Sequence, residues 1–136
     1  MSDTDRPDAA RSRPHTPPAV GPFLEHDLMN AIDELRREPA WQTGRNARTL
    51  VKYADFRVVL TVLKAGERTQ EHAVQARISV QALAGHIRVG AAGHTFDLHP
   101  GRLLALDRGV THAVEAVEES AFLLTIAWHA GAGGEG

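Results

Sequence analysis

Two histidines in glycine-framed stretches are the residues of this chain that could do chemistry. His72 stands six residues after Gly66, in the stretch GERTQEHAVQARISVQALAG, which ends at Gly85. His112 stands three residues after Gly109. Imidazole binds zinc, iron, copper or nickel, and a catalytic metal usually has about three protein ligands plus an open position. Because the chain has no cysteine, such a site would depend on histidine and carboxylate.

The other histidines give weaker signals. His86 follows Gly85 directly and shares the face of Ile78 if side-chain alternation continues through the glycine bend, so it is the outside candidate for a further metal ligand. The rest lie in tails, in turns or at a helix start and are expected at the surface: His15, His26, His94, His99 and His129. Asp107 precedes His112 by five residues, where it can orient that imidazole or cap the turn between them.

A helix precedes the strands that must carry these residues. Apolar residues at spacings of four, four and three share one helical face: Leu24, Leu28, Ile32 and Leu35. Asp27 can cap the start of this helix and Pro39 stops it, so we predict a helix within residues 23–40. We expect it to pack on its own domain or on a sister subunit; a partner-binding helix is the alternative.

Residues 45–128 are predicted to be all-β. Short runs rich in Val, Ile, Leu and Thr are separated by turn residues at the spacing typical of β-sandwiches and barrels. Residues 90–93 predict a hairpin tip, and Pro100 with Gly101 suits the centre of a type II turn. No second helical pattern interrupts these runs, which disfavours parallel βαβ units.

One run predicts a strand that is buried on both faces. In FRVVLTVL, Val58, Leu60 and Val62 point one way, and Val59 and Leu63 point the other. Such a strand needs cover on both sides. A facing sheet supplies one cover, and the N-terminal helix or a second subunit supplies the other. Because the core is small for about eight strands, a homodimer is the expected assembly.

The composition narrows the partners and the location. Five of the seven prolines lie in residues 1–22, which predicts a disordered tail, and glycine-rich residues 129–136 predict a flexible one. Fifteen basic and 17 acidic residues give a formal net charge of −2, which does not favour nucleic acid or acidic lipid. No apolar run approaches the roughly 20 residues that cross a bilayer, and the lack of cysteine suits a reducing compartment. We therefore expect a cytoplasmic protein without nucleic-acid or membrane partners.

The two glycine-framed stretches resemble the two motifs of the cupin family. The first has Gly66, His72 and Gly85 at the cupin spacing, and GRLLALDRGVTHAVEA matches the second through Gly109 and His112. The resemblance to small single-domain cupins covers residues 50–128. It implies a double-stranded β-helix, or jelly roll, which in this chain is preceded by one α-helix.

The resemblance also implies a ligand set, which this chain holds only in part. In cupins that bind metal, two histidines and a glutamate of the first motif and a histidine of the second hold a divalent ion. By that correspondence His72 and His112 are the metal ligands, whereas Val74 stands at the second histidine position and Ile78 at the glutamate position. A divalent transition metal is the cofactor implied, with His86 as the outside candidate. The two apolar residues favour a reduced or absent metal site.

The strand after the first histidine predicts a ligand pocket instead. Ile78, Val80 and Ala82 share one face of ISVQALA, and small side chains on an interior face leave room. The expected pocket is lined by His72, Val74, Ile78, Val80, Ala82 and His112. In the alternative, larger side chains such as Phe96 or Phe122 fill that space.

The sequence leaves three functions open. The favoured one is a small-molecule-binding or accessory cupin with a reduced or absent metal site. The alternatives are a metal-dependent cupin enzyme of the dioxygenase or isomerase type, and a dimeric protein-interaction module. No catalytic residue is assigned, because the chain has neither a Gly-x-Ser-x-Gly elbow nor a Gly-x-x-x-x-Gly-Lys phosphate loop.

Overall fold

One α-helix, a short 3-10 helix and eight strands make up the described part of the fold. The computed structural model describes residues 18–129. Helix α1 (Leu28–Arg37) is followed by a 3-10 helix (Pro39–Thr43). The strands are β1 (Arg45–Lys52), β2 (Phe56–Leu63), β3 (Ala76–Ala84), β4 (Ile87–Ala91), β5 (His94–Leu98), β6 (Leu103–Leu106), β7 (His112–Ala116) and β8 (Ser120–Trp128).

The strands form two antiparallel sheets. The order is β1-β2-β8-β3-β6 in the first sheet and β5-β4-β7 in the second. The last strand, β8, lies between β2 and β3, so the first sheet forms only when distant parts of the chain meet. The all-β architecture with one preceding helix, predicted from the sequence, is confirmed. Within residues 18–129, no helix is long and apolar enough to cross a membrane.

Apolar side chains from both sheets fill the space between them. On β3, Ile78, Val80 and Ala82 are at most 5% exposed and belong to this core. Ala82 pairs in register with Phe122 of β8, which is 4% exposed. Phe122 therefore occupies the space beside the small β3 side chains, while Phe96 packs half-buried against the same cluster.

Helix α1 covers the other face of the five-stranded sheet. Its buried residues Ala31, Ile32 and Leu35 form a second cluster with Leu60 and Val62 of β2, which are fully buried. The two-sided burial predicted for β2 is confirmed, and the outer cover over this part of the sheet comes from the helix.

The ends of α1 follow from local chemistry. The Asp27 carboxylate accepts a hydrogen bond from the backbone N–H of Asn30 at 3.0 Å, which satisfies one of the free donors of the first turn. The helix ends at Arg37, and Pro39 opens the 3-10 helix. Both ends lie within the predicted residues 23–40.

Arg48 of β1 ties α1 to the sheet. Its Nη1 donates to the Glu34 carboxylate at 2.8 Å and its Nη2 to that of Glu38 at 3.2 Å. Asn46 donates to the backbone carbonyl of Leu35 at 3.0 Å, near the end of the helix. The hydrogen bond from Arg48 lowers the pKa of the Glu34 carboxyl, which burial opposes.

The two predicted turns are confirmed. Ala92 and Gly93 have φ of 51° and 79°, which gives the β4–β5 hairpin the left-handed pair that a type I′ turn requires. At the Pro-Gly turn, Gly101 has φ of 92°, and Arg102 N–H donates to the carbonyl of His99 at 2.9 Å.

Gly85 carries the chain from one sheet to the other at a point where no side chain fits. Its φ is +79°, and a Cβ would lie 2.2 Å from the carbonyl oxygen of Glu119 and 2.4 Å from Ser120 Oγ. Ser120 is fully buried, and its hydroxyl accepts a hydrogen bond from His86 N–H at 2.9 Å. The transition between sheets is thus packed against the start of β8.

Most residues of the two predicted tails lie outside the described part of the chain. Residues 18–22 are described, and they contact the end of β1: Lys52 N–H donates to the carbonyl of Ala19 at 2.8 Å, and the Tyr53 hydroxyl donates to that of Gly21. Of residues 129–136, only His129 is described. Disorder in the remaining tail residues stays a prediction.

Gly85→Ala is predicted to destabilise the fold more than Gly101→Ala. Both glycines have φ near +80 to +90°, but an added Cβ at Gly101 meets no atom within 4 Å. We expect Gly101→Ala to lower the free energy of unfolding by roughly 1–2 kcal/mol and Gly85→Ala by at least about 2 kcal/mol more. Urea denaturation measures both, and equal losses would contradict the packed transition at Gly85.

The Arg48–Glu34 contact predicts a loss of stability in acid. The folded-state pKa of Glu34 lies below its ordinary 4.5, so the contribution is present above that value and is lost as pH falls through the folded pKa. Urea denaturation from about pH 6 down to about pH 3 measures the loss. Glu34→Gln and Arg48→Met should each lower stability near neutral pH and shrink the acid-induced decrease. An unchanged decrease in both variants would refute this contribution.

Candidate functional site

Residues 66–72 run beside β7 and bring the two predicted histidines together. Thr69 N–H donates to the carbonyl of Val114 at 2.8 Å. Further along, His72 and His112 exchange both backbone hydrogen bonds, at 3.1 Å and 2.9 Å. Residues that exchange both bonds in an antiparallel pair project their side chains from the same face. The backbone pairing therefore places both imidazoles at one end of the inter-sheet core.

The two imidazoles are held in matching orientations. Their ring centroids are 4.5 Å apart, with an interplanar angle of 55°. His72 Nδ1 lies 3.1 Å from the carbonyl oxygen of Gln70, and His112 Nδ1 lies 3.0 Å from that of Val110, each two residues earlier in the chain. A carbonyl only accepts hydrogen bonds, so both Nδ1 atoms donate. In the neutral rings, both Nε2 atoms are then acceptors.

We call this end of the core the mouth, bordered by His72, Val74, Val110 and His112. His72 is exposed, His112 is 5% exposed, and the two valines pack half-buried against the core. The carbonyl of Val74 accepts a hydrogen bond from Gly109 N–H at 2.9 Å, which holds the two motifs against each other. The mouth thus combines two imidazoles with an apolar border.

The remaining predicted pocket residues lie below the mouth. Ile78, Val80 and Ala82 follow one another along β3 on its inner face, and all three are packed in the core. They therefore form the floor beneath the mouth, with Phe122 beside Ala82. The predicted pocket is divided into a border that solvent can reach and a filled base.

The donor set at the mouth does not fit a tightly held transition metal. Val74 and Ile78, at the positions where metal-binding cupins carry ligands, have no donor atom. Within residues 18–129, no group of three or more His, Cys, Asp or Glu side chains is arranged to hold an ion. Two imidazoles alone would leave most of the coordination sphere to water.

His86 does not join the histidine pair. It directly precedes β4 (Ile87–Ala91), so five steps of about 3.3 Å each separate it from Ala91, the residue that pairs with His112. At the far end of the core, His86 Nε2 lies 2.7 Å from the carboxylate of Asp97, which also accepts from Arg88 Nε at 3.0 Å. These hydrogen bonds, first from His86 and then from Arg88, lower the pKa of the Asp97 carboxyl.

The remaining histidines were predicted to lie at the surface, and among those described the prediction is wrong for one, His26. His94, His99 and His129 are exposed, whereas His26 is half-buried. His26 Nε2 lies 2.9 Å from the carbonyl of Leu50, because the segment before α1 passes close to β1. His15 lies outside the described residues.

Asp107 caps its turn rather than orienting a histidine. Its carboxylate accepts from the backbone N–H of Arg108 at 2.8 Å and from Arg77 Nε at 3.1 Å. These two contacts, in that order, lower the pKa of the Asp107 carboxyl. The imidazole of His112 is oriented instead by the carbonyl of Val110.

A separate cleft of about 540 Å³ lies on the outer face of the three-stranded sheet. Two of its walls carry paired charges: Arg68 lies 3.7 Å from Glu115, and Arg88 lies 3.0 Å from Asp97. These charges are therefore at least partly compensated within the protein before any ligand binds.

The sequence analysis did not identify Arg57, the second residue of β2, as a residue of the inner face. Arg57 pairs with Ile126 of β8, which packs against the inter-sheet core. The signal was present, because Arg57 has the same parity as Val59 and Leu63 in the run that was predicted to be buried on both faces. A charged residue next to a strand end is, however, usually exposed to solvent.

Comparisons with known proteins identify the fold. No protein-family model and no curated protein sequence matches this chain. A conserved protein of unknown function from Streptococcus pyogenes superposes with a TM-score of 0.68 at 23% identity, over 82% of this chain and 93% of the other. A cupin superfamily protein from Desulfitobacterium hafniense gives 0.61 at 16% identity, over 62% and 78%.

An enzyme is also among the similar structures. A variant of salicylate 1,2-dioxygenase from Pseudoaminobacter salicylatoxidans gives a TM-score of 0.66 at 16% identity, over 75% of this chain but only 34% of the dioxygenase. At these identities the likeness concerns the fold and not the reaction. Two packed antiparallel sheets, the two motifs and these superpositions agree: this chain has the cupin fold predicted from its sequence.

Proposed function

We propose that this protein binds a small organic molecule at the mouth, without a tightly held transition metal. The observation that carries the proposal is the pair formed by His72 and His112, whose Nε2 atoms have no hydrogen-bond partner within residues 18–129 and lie beside an apolar border. Sites for small molecules commonly combine apolar walls with a few placed polar groups.

The filled base limits the depth of binding. Val80, Ala82 and Phe122 leave the inter-sheet core packed, so a ligand would rest on Ile78 and contact the border valines. The two imidazoles would accept hydrogen bonds from a hydroxyl or N–H group of the ligand. This arrangement favours a compact ligand over an elongated one.

The two alternatives have less support. A metal-dependent enzyme would need further ligands where Val74 and Ile78 stand. The interaction module has one supporting feature, because the outer face of the five-stranded sheet carries the exposed Leu103 and Phe56, although the charged Arg77 projects from the same face. That surface would also suit the homodimer, which stays a prediction and which sedimentation velocity would test.

The proposal that no transition metal is tightly held predicts a low metal content in the purified protein. Untagged protein purified without chelator should contain far less than one transition-metal ion per chain by elemental analysis. The double variant Val74→His/Ile78→Glu restores a four-ligand set and should bind Zn²⁺ at least tenfold more tightly than the wild type in calorimetric titrations. A stoichiometric metal in the wild-type protein would overturn this part of the proposal.

Ligand binding at the mouth predicts that replacing His72, but not a histidine elsewhere, weakens the affinity for the ligand. Compounds bearing hydroxyl or N–H groups that raise the unfolding temperature of the wild type should bind His72→Ala roughly three- to tenfold more weakly, because one hydrogen bond is lost. His99→Ala is the matched control, since His99 is an exposed histidine at the far end of the core. Equal affinities for the wild type and His72→Ala would place the ligand elsewhere.

A further inference from the structure

Arg57 is a cation on the inner face at the mouth end. It pairs with Ile126, and Ile126 pairs with Ile78, so the three residues form one row across β2, β8 and β3. The next inner-face residue of β8 is Trp128, which pairs with Ala76 at the start of β3. The row therefore crosses the sheet just inside the end where residues 72–74 lead into β3.

The guanidinium of Arg57 has no anionic partner within residues 18–129. Its Nε is buried without a hydrogen-bond partner in this part of the chain, and its guanidinium carbon lies 5.0 Å from the centroid of the Trp128 ring. Arg36 offers a comparison: its Nε also lacks an aligned hydrogen bond, but it lies 3.1 Å from the carboxylate of Glu119. Arg57 is thus the arginine whose buried donor faces no carboxylate.

The inner face around Arg57 carries basic groups and no acidic ones. Lys52 pairs with Arg57 in register and projects from the same face, and the mouth adds His72 and His112. Along all eight described strands, no inner-face position is Asp or Glu. The strands of a chain with a formal net charge of −2 thus direct no carboxylate toward this interior.

We infer that the ligand of the mouth is a small organic carboxylate, and that Arg57 binds its carboxylate group. This inference rests on the proposed function. A half-buried guanidinium without a partner is unfavourable, and a carboxylate matches its planar donors with charge-assisted hydrogen bonds. Trp128 makes a cation–π contact with the guanidinium and accepts none of its hydrogen bonds, which leaves the N–H donors of Arg57 for the ligand.

The geometry sets the size of the ligand. Adjacent strands lie about 4.8 Å apart. The backbone of Arg57 on β2 therefore lies roughly two strand spacings from that of Ile78 on β3, the residue directly below the mouth. A compact molecule can present its carboxylate to Arg57, rest its apolar body on Ile126 and Ile78, and donate from a polar group to an Nε2 atom of the histidine pair. We expect a ligand of about the size of benzoate to match this spacing.

The test compares matched charged and neutral probes by isothermal titration calorimetry. The probes are benzoate with benzamide and hexanoate with hexanamide, which differ chiefly in charge. The proteins are the wild type, Arg57→Gln, Arg57→Lys and the control Arg102→Gln, whose exposed arginine lies in the turn at the far end of the core. Arg57→Lys keeps a cation in case Arg57→Gln unfolds, and urea denaturation checks that each variant is folded.

We expect the wild type and Arg102→Gln to bind at least one carboxylate roughly tenfold or more tightly than its amide. Arg57→Gln should lose this preference, and Arg57→Lys should retain only part of it because lysine lacks the planar fork. A preference that survives in both Arg57 variants would overturn the inference. So would equal binding of amides and carboxylates by the wild type, which would leave the proposed function standing. If no carboxylate probe binds at millimolar concentration, the inference is wrong, whereas the proposed function is tested separately by the comparison of the wild type with His72→Ala.

Discussion

The backbone pairing of His72 with His112 is the constraint on which the rest of this site depends. The two residues lie 40 positions apart in the chain, yet they exchange both backbone hydrogen bonds and hold their ring centroids 4.5 Å apart, with the ring planes tilted by 55°. That pairing requires residues 66–72 to lie beside β7, which in turn requires the two sheets to close on each other. Each backbone bond contributes only about 1 kcal/mol, so the position of the pair is maintained by the packed core behind it. The geometry of the candidate site therefore depends on the integrity of the whole fold.

The same frame is compatible with quite different chemistry. Gly66, Gly85 and Gly109 keep the spacing of the two motifs, and Gly85 is required by a close approach to β8. Val74 and Ile78 need only be apolar to pack against the core. Backbone geometry can thus be retained while metal ligands are replaced, because glycines set the path of the chain and side chains set its chemistry. This separation explains why a cupin fold does not by itself assign a reaction.

Much of the fold could be predicted because its signals are local. The periodicity of Ile32 and Leu35, the cap at Asp27 and the opposite faces of Val62 and Leu63 each follow from spacing alone. The space beside Ala82 could not be predicted, because its occupant depends on the register between β3 and β8, which lie some 40 residues apart. The position of His86 was open for a similar reason, since Gly85 interrupts the alternation of side chains.

The residues of the candidate site were predicted from the sequence, but the orientations of their side chains were not. The carbonyls that orient both imidazoles are backbone atoms, and the unpaired state of Arg57 becomes visible only when every neighbour is placed.

The orientation of the two imidazoles can be measured directly by long-range ¹H–¹⁵N NMR of the histidine side chains in the ligand-free protein near neutral pH. The hydrogen bonds from Nδ1 of His72 and His112 to backbone carbonyls predict that both neutral rings carry their proton on Nδ1 and present an unprotonated Nε2 to the mouth. The Nε2–H tautomer in either ring would contradict the account, because the mouth would then offer a ligand a donor where this structure offers an acceptor.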